Sequence, residues 1–374
     1  MKLKGGTSKM KFEMPKYHHP DFSQEFLKNA PDVKLEEVKV DGLSPKNYHA
    51  LSVYPEYFKI NGKWVLAAQS RMDTVCVAKD KPGEEAVDIV EFRNLKKGDK
   101  VVIGRTEDAS EGIYVFTQGF LPEEENTDTF AFRSGRSRET AFSIDYDNLY
   151  EVLKHEKANG GYVTLIVGAA VSLDRDSRLA LERLVRNGYV QAIFCGTETA
   201  AFDLEKGIFN TSWGQEHFEK EQNTTRNLFE TINLSRKYGS TKKLVESGLV
   251  KDGFIKACFD MNVPLVIAGT IRDRLGLPET INNVYQAQDE MRKHSRKTTT
   301  IIMMSAILFT IATGNMTPSY NVFDGRVRPV YMYTIDIQEF AVNKLSDRGT
   351  VTAVSMVTNV QDFIRNVDRA LNNS

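Results

Sequence analysis

With 374 residues, 41% hydrophobic and 26% charged, the chain is long enough for two domains and a sizeable core of ordinary globular composition. Its 49 lysines and arginines are balanced by 50 aspartates and glutamates, which removes the electrostatic case for nucleic acid or an anionic membrane as partner. The longest apolar run, Ile301 to Ala312, is broken by Ser305 and Thr310 and is too short to span a bilayer.

The basic start (Lys2, Lys4, Lys9, Lys11, Lys16) lacks the apolar stretch of a signal peptide and reads as a solvated terminus. Cys76, Cys195 and Cys258 are odd in number and far apart, so buried thiols in a reducing cytoplasm are expected rather than disulfides. The histidines are scattered, and no metal centre is expected.

Asn61-Gly62-Lys63 stands between Tyr57–Ile60 and Trp64–Ala67, a strong hairpin signal. Further strands are predicted at Thr74–Ala78, Ala86–Phe92, Lys100–Ile103 and Gly112–Thr117, followed by an acidic loop from Leu121 to Asp128. Residues 1–145 are therefore expected to form a β-rich domain. From residue 146 the rhythm changes. A helix over Asp147–Ala158 leads to an apolar strand, Tyr162–Val167, then a small-residue turn, a helix from about Asp174 to Asn187 and a second strand, Gln191–Cys195. That is a β-α-β unit. A helical region spans Ala200 to Met261, with Ser240 capping one helix and Gly248 closing it. Strands near Leu265, Thr300, Val330 and Val351 then alternate with helices, the last over Asp362–Asn372. Near-continuous apolar strands with helical crossovers predict a doubly wound, Rossmann-like parallel sheet carrying a helical insertion over residues 146–374.

In such a sheet ligands gather beyond the carboxyl ends of the strands, so the polar residues there are the candidates. Gly168-Ala169-Ala170 is a small-residue turn after the first strand, equally explained by close helix packing. Gly196-Thr197-Glu198 ends the next strand, and Glu198 could accept from a ribose hydroxyl or simply favour a helix start. Asp336 directly follows an apolar strand, where a carboxylate is costly to bury unpaired. Asp347-Arg348-Gly349 reads as a helix end, which explains Gly349 and partly Arg348 but not Asp347. Arg272-Asp273 follow the strand ending at Gly269-Thr270. As a pair they could bind a carboxylate and move a proton, or form a plain loop ion pair. Gly314-Asn315 suggest backbone approach to a ligand, or a helix end before Pro318.

Together these strings resemble a known family. Gly239-Ser240, Asn262-Val263-Pro264, Ala268 to Asp273, Leu277-Pro278, Gln286-Ala287-Gln288, Gly314-Asn315, Pro318-Ser319, Asp336-Ile337 and Lys344 to Gly349 fall in the order seen in archaeal-type ornithine cyclodeaminases, the group sharing the LOR/SDH conserved region. Asn61 to Trp64 and Lys97 to Gly104 match in the β-rich half, and the resemblance runs from about Leu35 onward. It implies NAD held in a Rossmann-like domain. The strand-end candidates Gly168, Ala169, Gly196, Thr197, Glu198, Gly269, Thr270, Gly314, Asn315, Asp336, Asp347 and Arg348 are then the expected contacts to it. Arg272 and Asp273 are expected to bind the carboxylate and move the proton of a small amino-acid-like substrate. The parent reaction turns ornithine into proline and ammonia through an imine, with internal return of the hydride. An amino-acid or opine-type dehydrogenase and a repurposed nucleotide-binding subunit are the alternatives. A cytoplasmic homo-oligomer is expected. The sequence departs from the family where Leu173 and Phe202 stand for histidines, where Thr197 stands for asparagine, at Thr225 to Leu228, and where Arg274 stands for an aspartate.

Overall fold

The computed structural model describes residues 12–81, 84–120, 137–138, 144–211, 226–269, 275–338 and 352–372. After a short helix, α1 (Glu25–Lys28), come seven strands: β1 (Lys34–Glu37), β2 (Glu56–Ile60), β3 (Lys63–Leu66), β4 (Thr74–Lys81), β5 (Glu84–Glu91), β6 (Lys100–Ile103) and β7 (Ile113–Val115). They form two antiparallel sheets, β1-β6-β4-β5 and β3-β2-β7. The β2–β3 hairpin turns on Asn61 and Gly62, with φ of 51° and 77°. Two consecutive left-handed residues match the twist of the flanking strands, which is why Asn-Gly is favoured there.

The remainder runs β8 (Ser137–Arg138), α2 (Ile144–Ala158), β9 (Val163–Val167), α3 (Ala169–Leu173), α4 (Arg175–Arg186), β10 (Ala192–Gly196), α5 (Thr197–Phe209), α6 (Arg226–Tyr238), α7 (Thr241–Glu246), α8 (Phe254–Asp260) and β11 (Leu265–Ala268). It continues through α9 (Val284–Ser295), β12 (Thr300–Met304), α10 (Ile307–Met316), β13 (Tyr320–Phe323), β14 (Arg326–Pro329), β15 (Tyr331–Asp336), β16 (Ala353–Val357) and α11 (Val360–Asn372). Seven strands make one all-parallel sheet in the order β11-β10-β9-β12-β15-β16-β8. The chain thus winds outward from β9 to β11, then returns to the other side of β9. The Rossmann-like doubly wound sheet and the β-rich N-terminal half are both as the sequence predicts. Ser137 and Arg138 add a strand, β8, to the parallel sheet from within the stretch read as N-terminal.

Alternation along the strands separates two cores. Ile193, Cys195, Ile302 and Met304 face the larger cluster with α4, α5, α8 and α11. Ala192, Phe194, Ile301 and Met303 face the smaller one, with Met291 of α9 and Phe309 and Ala312 of α10 packed on it. Helix starts carry the expected acceptors: Asp174 accepts from Ser177 N–H at 2.8 Å and Ser240 from Lys243 N–H at 3.1 Å.

The β13–β14 hairpin was not foreseen, although Asp324-Gly325 (φ 47° and 75°) is the same turn signal as Asn61-Gly62. It joins the two halves. Tyr320 Oη donates to Ala67 O at 2.8 Å, and Val322 N–H donates to Ala68 O at 3.1 Å. Arg292 of α9 pairs with Glu91 of β5 at 3.1 Å on the same side. Among the described residues no helix is long and apolar enough to cross a membrane.

Candidate active site at the switch point of the sheet

Strand order reverses between β9 and β12, and a crevice must open where the following helices diverge to opposite faces. Its floor is built from backbone. Gly168, between β9 and α3, donates its N–H to Met304 O at 2.9 Å. A Cβ at Gly168 would stand 2.0 Å from Ser305 O and 2.9 Å from Met304 O. Glycine is therefore demanded by the close approach of two turns, as its φ of −86° is open to any residue. Ser305 follows β12 with a φ of 50°, and its N–H donates to Ile335 O at 3.0 Å. The ends of β9, β12 and β15 are thereby knitted together. Ala169, half-buried, opens α3 beside this seam.

Gly196 differs from Gly168. It ends β10 and caps α5 with φ −80° and ψ 163°, an ordinary extended conformation. Among the described residues, an added Cβ would meet only Phe309 Cε2, at 3.7 Å. No described residue around it requires glycine, so its effect is to leave room where backbone can approach a ligand. Thr197 is buried, with its Oγ1 3.5 Å from Thr280 Oγ1, and half-buried Glu198 stands in the first turn of α5. Gly269, after β11, donates its N–H to Ile281 O at 3.0 Å, and a Cβ there would lie 2.6 Å from Asn282 Oδ1. Asp336 closes β15 and is only 6% exposed. Its Oδ1 accepts from Gln338 N–H at 2.9 Å and its carbonyl from Thr358 N–H at 3.1 Å. Part of its acceptor capacity thus organises the turn that carries Ile337.

Gly168, Ala169, Gly196, Thr197, Glu198, Gly269 and Asp336 all lie at the carboxyl edge of the sheet. Gly314 and Asn315 do not join them. They occupy the last turn of α10, and at 1.5 Å per residue Gly314 is about 10 Å along the helix from Ile307. Helix α10 starts at the edge and leads away from it, with this pair in its last turn. Thr270, Arg272, Asp273, Asp347 and Arg348 lie outside the described residues. The sequence reading missed Ser305 and Phe309 as parts of the crevice. Ser305 figured there only as an interruption of an apolar run, and the left-handed turn it makes has no local sequence signal. At the departures from the family, Phe202 is buried in the larger core and Leu173 packs against it.

Charge is most concentrated elsewhere. Arg178, 1% exposed, bonds Asp203 through Nε at 2.8 Å and Asp252 through Nη1 at 2.7 Å. Ile255 N–H donates to Asp203 Oδ2 at 3.0 Å. Burial opposes the charge on Arg178, but the two aspartates outweigh it and hold the guanidinium above its ordinary range. Burial likewise pushes the Asp203 carboxyl up to about 6, with Arg178 pulling the other way. Glu156, fully buried, binds Arg328 Nη2 at 2.5 Å and the hydroxyls of Thr299 and Thr300 at 2.9 Å. Cys76, Cys195 and Cys258 are free and buried, and burial raises all three thiols.

Residues 147–367 match the family described as arginine dihydrolase ArgZ-like, C-terminal, Rossmann fold, and residues 55–140 match the first region of the same C-terminal part. The chain is 33% identical over 336 residues to the bifunctional arginine dihydrolase/ornithine cyclodeaminase AgrE of Nostoc sp., covering 89% of this chain and 46% of AgrE. It therefore spans about half the length of that relative. It is 31% identical over 342 residues to the ornithine cyclodeaminase of Methanocaldococcus jannaschii, covering 89% of this chain and 76% of that protein. A conserved LOR/SDH protein from Methanococcus maripaludis superposes with a TM-score of 0.76 at 29% identity, covering 92% of this chain and 99% of its own. The ternary complex of AgrE with ornithine and NAD+ superposes with a TM-score of 0.57 at 30% identity, covering 92% of this chain and 46% of that one.

Proposed function

Because the chain belongs to the archaeal-type ornithine cyclodeaminase family, we propose that it is an NAD-dependent enzyme releasing ammonia from ornithine or a closely related diamino acid. The observation that carries the reading is the gathering of small-residue turns at the switch point, and above all Gly196, where no described residue demands a glycine. AgrE, a relative of matching fold, holds ornithine and NAD+ together. When bound, the dinucleotide supplies reversible hydride transfer at the substrate α-carbon.

This chain's own residues fit such a ligand. The Gly168–Ala169 turn is free of bulky side chains, so a pyrophosphate can approach its backbone. Room at Gly196 and the carboxylate of Glu198, one turn into α5, suit an unphosphorylated ribose and oppose a 2′-phosphate. We assign substrate binding to Arg272, three residues after Gly269, because a guanidinium fork grips an α-carboxylate bidentately. Asp273 beside it holds or moves the proton at the substrate amine or α-carbon. Three free buried cysteines accord with a reducing cytoplasm.

The test is incubation of the protein and NAD with ornithine, lysine and related diamino acids, following ammonia and nicotinamide absorbance together. Ammonia without net NADH is expected. Arg272→Lys should raise KM, and Asp273→Asn should chiefly lower kcat. Net NADH would instead indicate a dehydrogenase. One observation favours a second reading, a changed substrate or a repurposed nucleotide-binding subunit. Where the resemblance implies histidines, Phe202 is buried in the core and Leu173 packs against it. Tightly bound NAD without turnover of any amino acid would support that reading.

A further inference from the structure

Among the described residues, eight non-glycine residues have positive φ, and six of them are asparagine or aspartate. Ala109 and Ser305 are the other two. Asparagine and aspartate tolerate the left-handed region through local hydrogen bonds of their short side chains, whereas serine is held there at a cost. Ser305 sits at the switch point, between the Gly168 turn and the end of β15, with its carbonyl against Gly168 and its N–H on Ile335 O. The backbone bonds explain the conformation. They do not explain the side chain, since glycine would take a φ of 50° without strain. Ser305 is half-exposed, and its hydroxyl bonds no described residue. Strained residues of this kind persist where the surrounding structure over-determines them and cluster where ligands bind.

Resting on the nucleotide site proposed above, we propose that the Ser305 hydroxyl contacts the nicotinamide half of the bound dinucleotide. The direction follows from the topology. Gly196 and Glu198 of β10 and α5 lie on one side of the Gly168 turn, where the adenosine half belongs. Ser305 follows β12 on the opposite side, next to Asp336 of β15. A dinucleotide crossing the Gly168 turn brings its second ribose and nicotinamide over Ser305. The backbone bonds that hold this turn fix the Cα–Cβ direction before binding, and rotation about that bond brings the hydroxyl to its partner.

Calorimetry of the full chain with NAD and with AMP, alongside thermal unfolding, tests this through Ser305→Gly and Ser305→Ala. Both variants remove the hydroxyl, but only glycine also removes the strain. Each should weaken NAD about 3- to 10-fold, the worth of one hydrogen bond, while AMP affinity stays as in wild type. The melting temperature of Ser305→Gly should hold or rise. Wild-type NAD affinity in Ser305→Ala, or equal weakening of NAD and AMP, would overturn the assignment while leaving the functional reading intact. Wild-type protein that binds no NAD would end both.

Discussion

The carboxyl edge of the sheet and the Arg178 clamp treat polar groups in opposite ways. At the clamp, α4, α5 and the loop before α8 bring together one guanidinium and two aspartates, and even the Gly253 backbone fits only because it lacks a Cβ, which would lie 2.4 Å from Arg178 Nη2. Every strong donor there has its acceptor inside the protein. At the edge, glycines, alanines and single hydroxyls line a crevice, and Glu198 and Asp336 are spread over separate strand ends. A closed, satisfied charge cluster leaves nothing for a ligand to bind. At the edge, backbone turns set the shape, and the polar side chains are distributed rather than paired into one cluster. Among the described residues, the densest charge cluster therefore marks what holds the helices together.

That contrast breaks most visibly at Arg178. Arg178→Met should leave Asp203 as a buried, uncompensated carboxylate and cost about 3–5 kcal/mol in urea unfolding. The cost should shrink at acid pH. Asp203 already has its carboxyl raised to about 6, and loss of the guanidinium raises it further. A group with a raised folded-state value favours folding in its protonated form, so the penalty is fully present at pH 8 and fades as the pH falls through that value. Equal destabilisation at pH 5 and pH 8 would show that lost packing, not charge, governs the clamp.

None of this clamp was legible in the sequence, whereas much of the scaffold was. Val163–Val167 and Thr300–Met304 announced themselves as buried parallel strands because both faces must be apolar. Asn61-Gly62 and Ser240 were equally plain, because turns and caps depend on neighbouring residues. Arg178 and Asp203 are 25 residues apart and meet only through tertiary packing, so no local pattern joins them. The strand-end glycines could be located from the sequence, but their roles could not. Gly168 is squeezed by Ser305 and Gly196 is not, a distinction that depends on β12 lying beside β9. Gly314-Asn315 illustrates the same dependence. A Gly-Asn pair marks a helix end, but not which end of the sheet that helix end faces.

The edge itself can be probed with a smaller change. Gly196→Val fills the room between β10 and Phe309, where a single Cβ already reaches 3.7 Å from the ring. Because φ at Gly196 is −80°, valine is conformationally allowed, and thermal unfolding should shift by only a few degrees. NAD affinity should nevertheless fall about 10-fold or more in calorimetry, since the β-branched side chain occupies space proposed for the ribose. A stable Gly196→Val protein with undiminished NAD binding would mean that the crevice is used differently.

The mildest test concerns one carboxylate. Glu198 stands in the first turn of α5, where a negative charge also interacts favourably with the helix dipole, worth only about 0.3–1 kcal/mol. Glu198→Gln keeps the shape and removes the charge, so the melting temperature should barely move. If the side chain accepts from a ribose hydroxyl, NAD should weaken about 2- to 5-fold, since the amide oxygen still accepts but without charge assistance. NADP should move the other way, because repulsion of the 2′-phosphate is relieved, raising the NADP-to-NAD affinity ratio about 10-fold. Measuring both nucleotides on one variant separates recognition from helix stabilisation. A pure dipole role predicts a small loss of stability with the ratio unchanged, whereas a ribose contact predicts the reverse.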